Sequence, residues 1–218
     1  MIDKIFENII MDYMIKETAE KLLGRSLEKD DGINIEKIEE VEFILENKLP
    51  QCLRDFYIYI GNIKLFTKSF EQFFDIDKLY FKNKKLVFME ENQGVCIWGI
   101  NLFENDPIVY QNTGDEDWYS EEIQLSEFIK IMMYYQCANG DENTENMDTI
   151  EIKKIMEICN GMEKIVDNNH LIIYWKNDVL LWYFTDEENK IINNSVIING
   201  LTEEKINEFK KENGIKNN

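Results

Sequence analysis

Apolar positions in the N-terminal part of the chain recur at helical spacing and predict three helices. The first candidate spans about Lys4 to Leu23. The second begins after Asn34, a residue type that caps helices, and continues to Leu49. Pro50 disfavours helical dihedrals at Leu49 and can itself begin the third helix, which Gly61 closes. This part of the chain is therefore predicted to contain a helix pair joined at Leu49 and Pro50.

From Lys85 onwards the pattern changes to short runs of β-branched and aromatic residues. The runs KLVFMEE and GVCIWGI flank the turn residues of ENQG, which predicts a β-hairpin, and PIVYQNT predicts a third strand. Ser126 is placed to cap the helix that LSEFIKIMMYYQCANG predicts. Beyond residue 140, the acidic and polar DENTENMD is the best candidate for a boundary within the chain.

The C-terminal part again changes from helical to strand-like periodicity. A helix from Thr149 to about Cys159 precedes three strand-like runs, HLIIYW, VLLWYFT and NSVIING, and a last helix capped by Thr202. Helices followed by strands grouped as hairpins are typical of an α+β fold rather than of alternating βαβ units. We therefore expect a predominantly antiparallel sheet of hairpin-connected strands packed by helices. Residues 1–218 are expected to form one domain, which the segment 149–213 completes or extends.

The charge balance restricts the kinds of partner. The chain of 218 residues has 24 basic and 43 acidic side chains, a formal net charge of −19. Nucleic-acid backbones and anionic membranes are bound through Lys and Arg, so this balance disfavours both. A basic protein is the electrostatically complementary partner. The alternative is that the acidic side chains only keep the protein soluble.

Motifs for catalysis, metals and cofactors do not stand out in the sequence. His170 is the single histidine, the cysteines have no CxxC spacing, and no glycine-rich phosphate-binding motif is present. We therefore expect no catalytic residue set, no metal and no cofactor. A hydrolase that uses two carboxylates stays as an alternative, since the sequence does not show which acids lie together.

The sequence also carries signals about the compartment. The early residues lack the basic and apolar regions of a signal peptide, and no apolar run is long enough for a membrane span. The four cysteines lie far apart along the chain. A cytoplasmic protein with reduced, mostly buried thiols is therefore expected, with disulfides as the alternative.

The acidic residues are unevenly distributed. Between Leu86 and Ile129 the chain has ten Asp or Glu residues and no Lys or Arg. For any single acid, a solvated loop position is the simpler interpretation. Together with aromatic side chains, which supply contact area in interfaces, the acids suit the binding of a basic protein. Trp118 and Tyr119 are candidates for apolar anchors. The candidate partner-binding residues are Glu104, Asp115, Glu116, Asp117, Trp118, Tyr119, Glu121 and Glu122.

Three segments, in this order, resemble the SUKH superfamily. They are IEKIEEVEFILENKLPQCLRDFYIYIGN, FMEENQGVCIWGINLFENDPIVYQ and LSEFIKIMMYYQ, within residues 34–138. The resemblance implies a SUKH-like α+β fold and a binding role without a catalytic residue set. It also implies structural rather than contact roles for the motif positions Pro50, Phe56, Glu91, Gln93, Trp98, Asp106 and Pro107.

Most bacterial members of that superfamily look like immunity proteins that bind and neutralise a co-encoded polymorphic toxin, often a nuclease. The resemblance therefore implies a non-enzymatic immunity protein whose acidic surface binds a basic toxin, such as a nuclease domain, without contacting nucleic acid or membrane. The fungal branch implies the alternative, a regulatory scaffold for cell-wall synthesis that binds several protein partners. The oligomeric state is left open.

Overall fold

The computed structural model describes residues 14–140, 143–147, 150–168, 170–192 and 195–215. It shows an α+β fold with helices and two antiparallel sheets, which confirms the predicted fold class. The chain divides into two compact units, each with one sheet. Among the described residues, the first unit comprises 14–21 and 25–136, and the second comprises 22–24 and the described part of 137–215. The single-domain organisation stays a prediction.

The helices and strands have the following bounds. The helices are α1 (14–23 of the described chain), α2 (Ile35–Ile44), α3 (Gln51–Ile60), α4 (Lys64–Thr67), α5 (Leu125–Gly140), α6 (Ile152–Cys159) and α7 (Glu203–Glu212). The strands of the first sheet are β1 (Gln72–Phe73), β2 (Tyr80–Lys82), β3 (Lys85–Glu90), β4 (Ile97–Ile100), β5 (Ile108–Asn112) and β6 (Tyr119–Gln124). Those of the second are β7 (Thr144–Asn146), β8 (Glu163–Asn168), β9 (Leu171–Lys176), β10 (Val179–Phe184) and β11 (Ile197–Gly200).

The first sheet has the strand order β1-β3-β4-β5-β6, with β2 also paired to β3, and all its pairs are antiparallel. This confirms the predicted β3–β4 hairpin and the predicted strand β5. Strands β1, β2 and β6 were not predicted, because their sequences are short or acidic. The turn from β2 to β3 has positive φ at Asn83 and Lys84, +47° and +69°, as a two-residue type I′ hairpin requires.

Helix α2 stops at Ile44, short of its predicted end. Glu46 has a left-handed φ of +54°. The amide of Glu46 donates to the Phe43 carbonyl and the amide of Asn47 to the Glu42 carbonyl, both at 3.2 Å, which is the bonding of a Schellman motif. The predicted end was wrong because apolar residues continue at helical spacing after the backbone has closed the helix.

The segment after α2 is held by the carboxylate of Glu42, whose side chain is 1% exposed. This carboxylate lies 2.6 Å from Lys48 Nζ and 3.2 Å from Arg54 Nε, and it accepts the Leu49 amide at 3.1 Å. Pro50 follows as the N-cap residue of α3. The predicted joint at Leu49 and Pro50 is therefore confirmed, with a buried carboxylate as its anchor.

Helix α3 supplies the aromatic core of the first unit. Phe56 is fully buried and stacks on Phe73 of β1 with ring centroids 4.5 Å apart. Phe73 in turn lies 6.1 Å from Phe88 of β3. Burial of such rings is worth about 1.5–3 kcal/mol each, so this contact fixes α3 on the sheet.

Ser126 has a different role from the predicted one. It lies inside α5, and its amide and hydroxyl donate to the Asp106 carboxylate at 2.9 and 2.6 Å. The Pro107 carbonyl accepts the Leu125 amide at 2.9 Å. A carboxylate from the loop between β4 and β5 therefore caps α5, where the helix dipole favours negative charge.

The second unit has the strand order β7-β11-β10-β9-β8. The predicted strands β9, β10 and β11 are confirmed, whereas β7, within the proposed boundary segment, and β8 were not predicted. Asn177 and Asp178 join β9 to β10 with φ of +48° and +66°, again a two-residue turn. Thr202 caps α7 by accepting the Lys205 amide at 3.3 Å, as predicted. Helix α6 begins at Ile152, and the predicted start at Thr149 lies outside the described residues.

The core of the second unit lies between its sheet and helices α6 and α7. Leu181 and Ile198 of the sheet pack with Ile155 of α6 and with Ile206 and Phe209 of α7, and all five are at most 3% exposed. The four cysteines are free and buried, as the sequence predicts. None of the helices in the described part of the chain is both long and apolar enough to cross a membrane.

Candidate partner-binding surface

Most of the candidate residues lie on the hairpin of β5 and β6, at one edge of the first sheet, where β6 is the last strand. Asp115, Glu116, Asp117 and Trp118 lie in the loop of this hairpin, which comprises residues 113–118. Glu104 precedes β5, whereas the loop follows it, and a five-residue strand spans about 17 Å. The structure therefore brings the other candidates together and places Glu104 at the opposite end of the strand.

The hairpin loop is organised by the side chain of Asn112, which is 1% exposed. Its amide nitrogen donates to the carbonyls of Asp115 and Asp117 at 2.9 and 2.6 Å. Its amide oxygen accepts the Gly114 amide at 3.1 Å and Lys82 Nζ at 2.6 Å. A single buried side chain thus determines where the acidic loop presents its carboxylates.

The carboxylate of Asp115 accepts hydrogen bonds from residues of the loop and from the start of β6. It accepts the Asp117 amide at 3.2 Å and the Tyr119 hydroxyl at 3.3 Å. The charge of Asp115, and its hydrogen bond to the neutral phenol, raise the pKa of Tyr119 above its usual value. Tyr119 is 53% exposed, so it keeps apolar surface for a partner.

Trp118 packs on the sheet rather than standing free in solvent. Its side chain is half-buried, and its Cη2 atom would lie 2.8 Å from a Cβ added at Gly99 of β4. Glycine at position 99 therefore provides the space for the indole ring. The indole Nε1 is buried and has no hydrogen-bond acceptor among the residues that the structure describes.

The two acids of β6 differ in their surroundings. Glu121 is half-buried and accepts Trp98 Nε1 at 2.8 Å, so it supports the sheet. Opposite Val109 the register shifts, and Glu122 has a left-handed φ of +56°. This bulge leaves Glu122 exposed.

The carboxylates that a partner can reach are those of Glu116, Asp117 and Glu122. All three are exposed, and no Lys or Arg among the described residues lies within 4.0 Å of them. With Asp115 and Tyr119 they form what we call the hairpin surface. Among the described residues, no basic side chain compensates the charge of Glu116, Asp117 and Glu122. Asn112 and the β5–β6 pairing hold the hairpin surface in place.

Two lysines that precede the acidic stretch were missed by the sequence reasoning. Besides the Lys82 contact to Asn112, Lys85 Nζ lies 3.3 Å from the centre of the Tyr110 ring and 3.2 Å from Asn101 Oδ1. Burial lowers the pKa of Lys85 below its usual value. Only the spacing of Asn112 and Gly114, both turn-forming residues, could have indicated the organising role of Asn112 from sequence.

Comparison of the chain with family models, curated proteins and solved structures returns no match. Within the described residues, no group of three or more His, Cys, Asp or Glu side chains is arranged to hold a metal ion.

Proposed function

We propose that the chain is a cytoplasmic, non-enzymatic immunity protein of the SUKH type, which binds and neutralises a basic toxin domain such as a nuclease. The observation that carries the proposal is the hairpin surface. The exposed carboxylates of Glu116 and Asp117 in its loop and of Glu122 on the edge strand have no Lys or Arg within 4.0 Å among the described residues. Uncompensated charge on an ordered element steers an oppositely charged partner during approach.

The geometry favours binding over a hydrolase that uses two carboxylates. General acid–base catalysis by a carboxyl group requires an environment that shifts its pKa, usually a concave site. The acids of the hairpin surface are exposed on a hairpin, and Asp115 is engaged with Tyr119 and the loop backbone. Such a surface provides charge for a partner rather than a concave site for catalysis.

The test is capture of the partner from the native host with the full chain as bait, at low and high salt. The proposal expects a basic protein that is toxic when produced alone, is harmless when co-produced with this chain, and elutes as salt rises. Glu116→Lys with Asp117→Lys should reduce its capture. The control Glu187→Lys with Glu212→Lys makes the same change of charge at exposed positions of the second unit and should leave capture unchanged.

Capture of kinases or of cell-wall-synthesis proteins would instead support the alternative, a regulatory scaffold. A basic partner whose toxicity this chain does not suppress would contradict the immunity role. Equal capture by the wild type and the Glu116→Lys, Asp117→Lys variant would remove the hairpin surface from the interface.

A further inference from the structure

A second surface of the first unit exposes large apolar side chains next to each other. Phe43 and Ile44, at the end of α2, are 84% and 70% exposed. Isolated exposed apolar residues are common on proteins, but adjacent ones within a polar rim mark interaction sites. A pocket of about 520 Å³ opens beside Phe43, lined also by Glu39, Glu42, Glu46, Asn47 and Lys48.

The rim of this surface is acidic and largely unpaired. On a helix, residues three and four apart are neighbours, which places Glu40 beside both Phe43 and Ile44, and Glu36 one turn further. Glu36, Glu40 and Glu46 are exposed, and no Lys or Arg of the described chain lies within 4.0 Å of their carboxylates. The C-terminal end of the helix dipole adds further negative potential. These five residues, Glu36, Glu40, Phe43, Ile44 and Glu46, form what we call the α2 patch.

The nearby cations pair with acids other than Glu36, Glu40 and Glu46. Arg54 lies 3.5 Å from Glu39 and 3.2 Å from Glu42, and Lys48 lies 2.6 Å from Glu42. Lys37 lies 3.7 Å from Asp77. Among the described residues, these cations therefore do not neutralise the exposed carboxylates of the α2 patch.

The backbone at Glu46 closes α2 beside the exposed apolar side chains. Its left-handed φ of +54° is at the position of the Schellman motif where glycine is preferred. A residue other than glycine is disfavoured there, yet the chain has a glutamate, and its exposed carboxylate adds negative charge to the patch.

We propose that the α2 patch docks a cationic amphipathic segment, with an apolar side chain on Phe43 and Ile44 and Lys or Arg groups on the surrounding carboxylates. A second copy of this chain is disfavoured, because each copy has a net charge of −19 and the same acids would face each other. The inference rests on the proposed function for the natural source of that segment, which is the basic partner. The expectation that the segment is cationic follows from the acids of the α2 patch and does not depend on the proposed function.

The experiment uses a synthetic helical peptide with leucines on one face and lysines on the other, and a counterpart in which glutamates replace the lysines. Fluorescence anisotropy measures the binding of each labelled peptide to the full chain. The lysine peptide is expected to bind, and Phe43→Ser with Ile44→Ser should weaken it by roughly tenfold or more. Val95→Ser, another exposed apolar residue of the first unit, is the control and should have no effect.

Glu46→Gly distinguishes a loss of peptide binding from a loss of folding. It should weaken the lysine peptide roughly two- to fivefold while the protein becomes more stable. Equal affinity for both peptides, or equal binding by the wild type and the Phe43→Ser, Ile44→Ser variant, would overturn the inference. Peptide binding at the patch without capture of a basic toxin would overturn only the proposed function, whereas toxin capture without peptide binding would overturn only this inference.

Discussion

The hairpin surface and the α2 patch are both acidic, but the first unit builds them in different ways. The hairpin surface is a charged loop fixed from below by one buried amide, Asn112, and its acids partly bond to their own backbone. The α2 patch is an apolar centre on a helix end, fixed by the buried carboxylate of Glu42. Exposed charge mainly changes the rate of association, whereas buried apolar contacts mainly change the rate of dissociation. If both surfaces bind the proposed basic partner, we therefore expect the hairpin surface to affect mainly the association rate and the α2 patch mainly the dissociation rate.

The largest expected effect concerns the support of the α2 patch. Glu42→Ala removes the acceptor of the Leu49 amide and leaves Arg54 without its buried partner. Breaking such a pair should lower the free energy of unfolding by about 3 kcal/mol in urea denaturation. Asp115→Ala, in the exposed hairpin loop, should lower it by less than about 1 kcal/mol. Similar losses of stability for Glu42→Ala and Asp115→Ala would contradict the conclusion that a buried carboxylate fixes the α2 patch whereas the side chain of Asp115 is exposed.

The next effect concerns the packing under the hairpin surface. Gly99→Ala would place a Cβ 2.8 Å from Trp118 Cη2 and 3.2 Å from the Leu86 carbonyl oxygen. Overpacking of this kind costs about 1–3 kcal/mol, and it should displace the indole ring. A change in tryptophan fluorescence would show the displacement of the indole ring, and a lower melting temperature would show the cost in stability. Unchanged fluorescence and stability would mean that the ring does not depend on glycine at this position.

Both surfaces contain one glutamate with a left-handed backbone, and this gives a matched pair. Glu46→Gly and Glu122→Gly should each raise the free energy of unfolding by about 1 kcal/mol, because glycine adopts φ of +54° or +56° without steric cost. Denaturant titration measures this change in the free energy of unfolding. Glu116→Gly, at an exposed position without positive φ, is the control and should not stabilise the protein.

The smallest effect is electrostatic and local to the hairpin surface. Asp115→Asn removes the negative charge that disfavours ionisation of the Tyr119 phenol, so the pKa of Tyr119 should fall toward its usual value. A pH titration followed by tyrosinate absorbance, with Tyr119→Phe to assign the signal, would detect it. A pKa of Tyr119 that does not change would mean that Asp115 does not lie beside the phenol.

The two surfaces also differ in how far the sequence predicted them. The hairpin surface was visible as an acidic stretch, and the neighbouring strands β4 and β5 followed from β-branched and aromatic runs, whereas β6 was not predicted. The α2 patch was missed, because Phe43 and Ile44 follow a helical apolar pattern and nothing local indicates that the helix closes at Ile44. Which apolar residues stay exposed depends on tertiary packing. The capping of α5 by Asp106 and the contact of Lys82 with Asn112 join segments that are distant in sequence.

The most direct test of the central claim is the ionic-strength dependence of association between the captured basic partner and this chain. Stopped-flow measurements should compare the wild type with the Glu116→Lys, Asp117→Lys variant over a range of salt concentrations. The account predicts that the wild-type association rate falls steeply as salt rises, and that the variant associates more slowly with a flatter dependence. Identical rates and identical salt dependence would contradict steering by the hairpin surface.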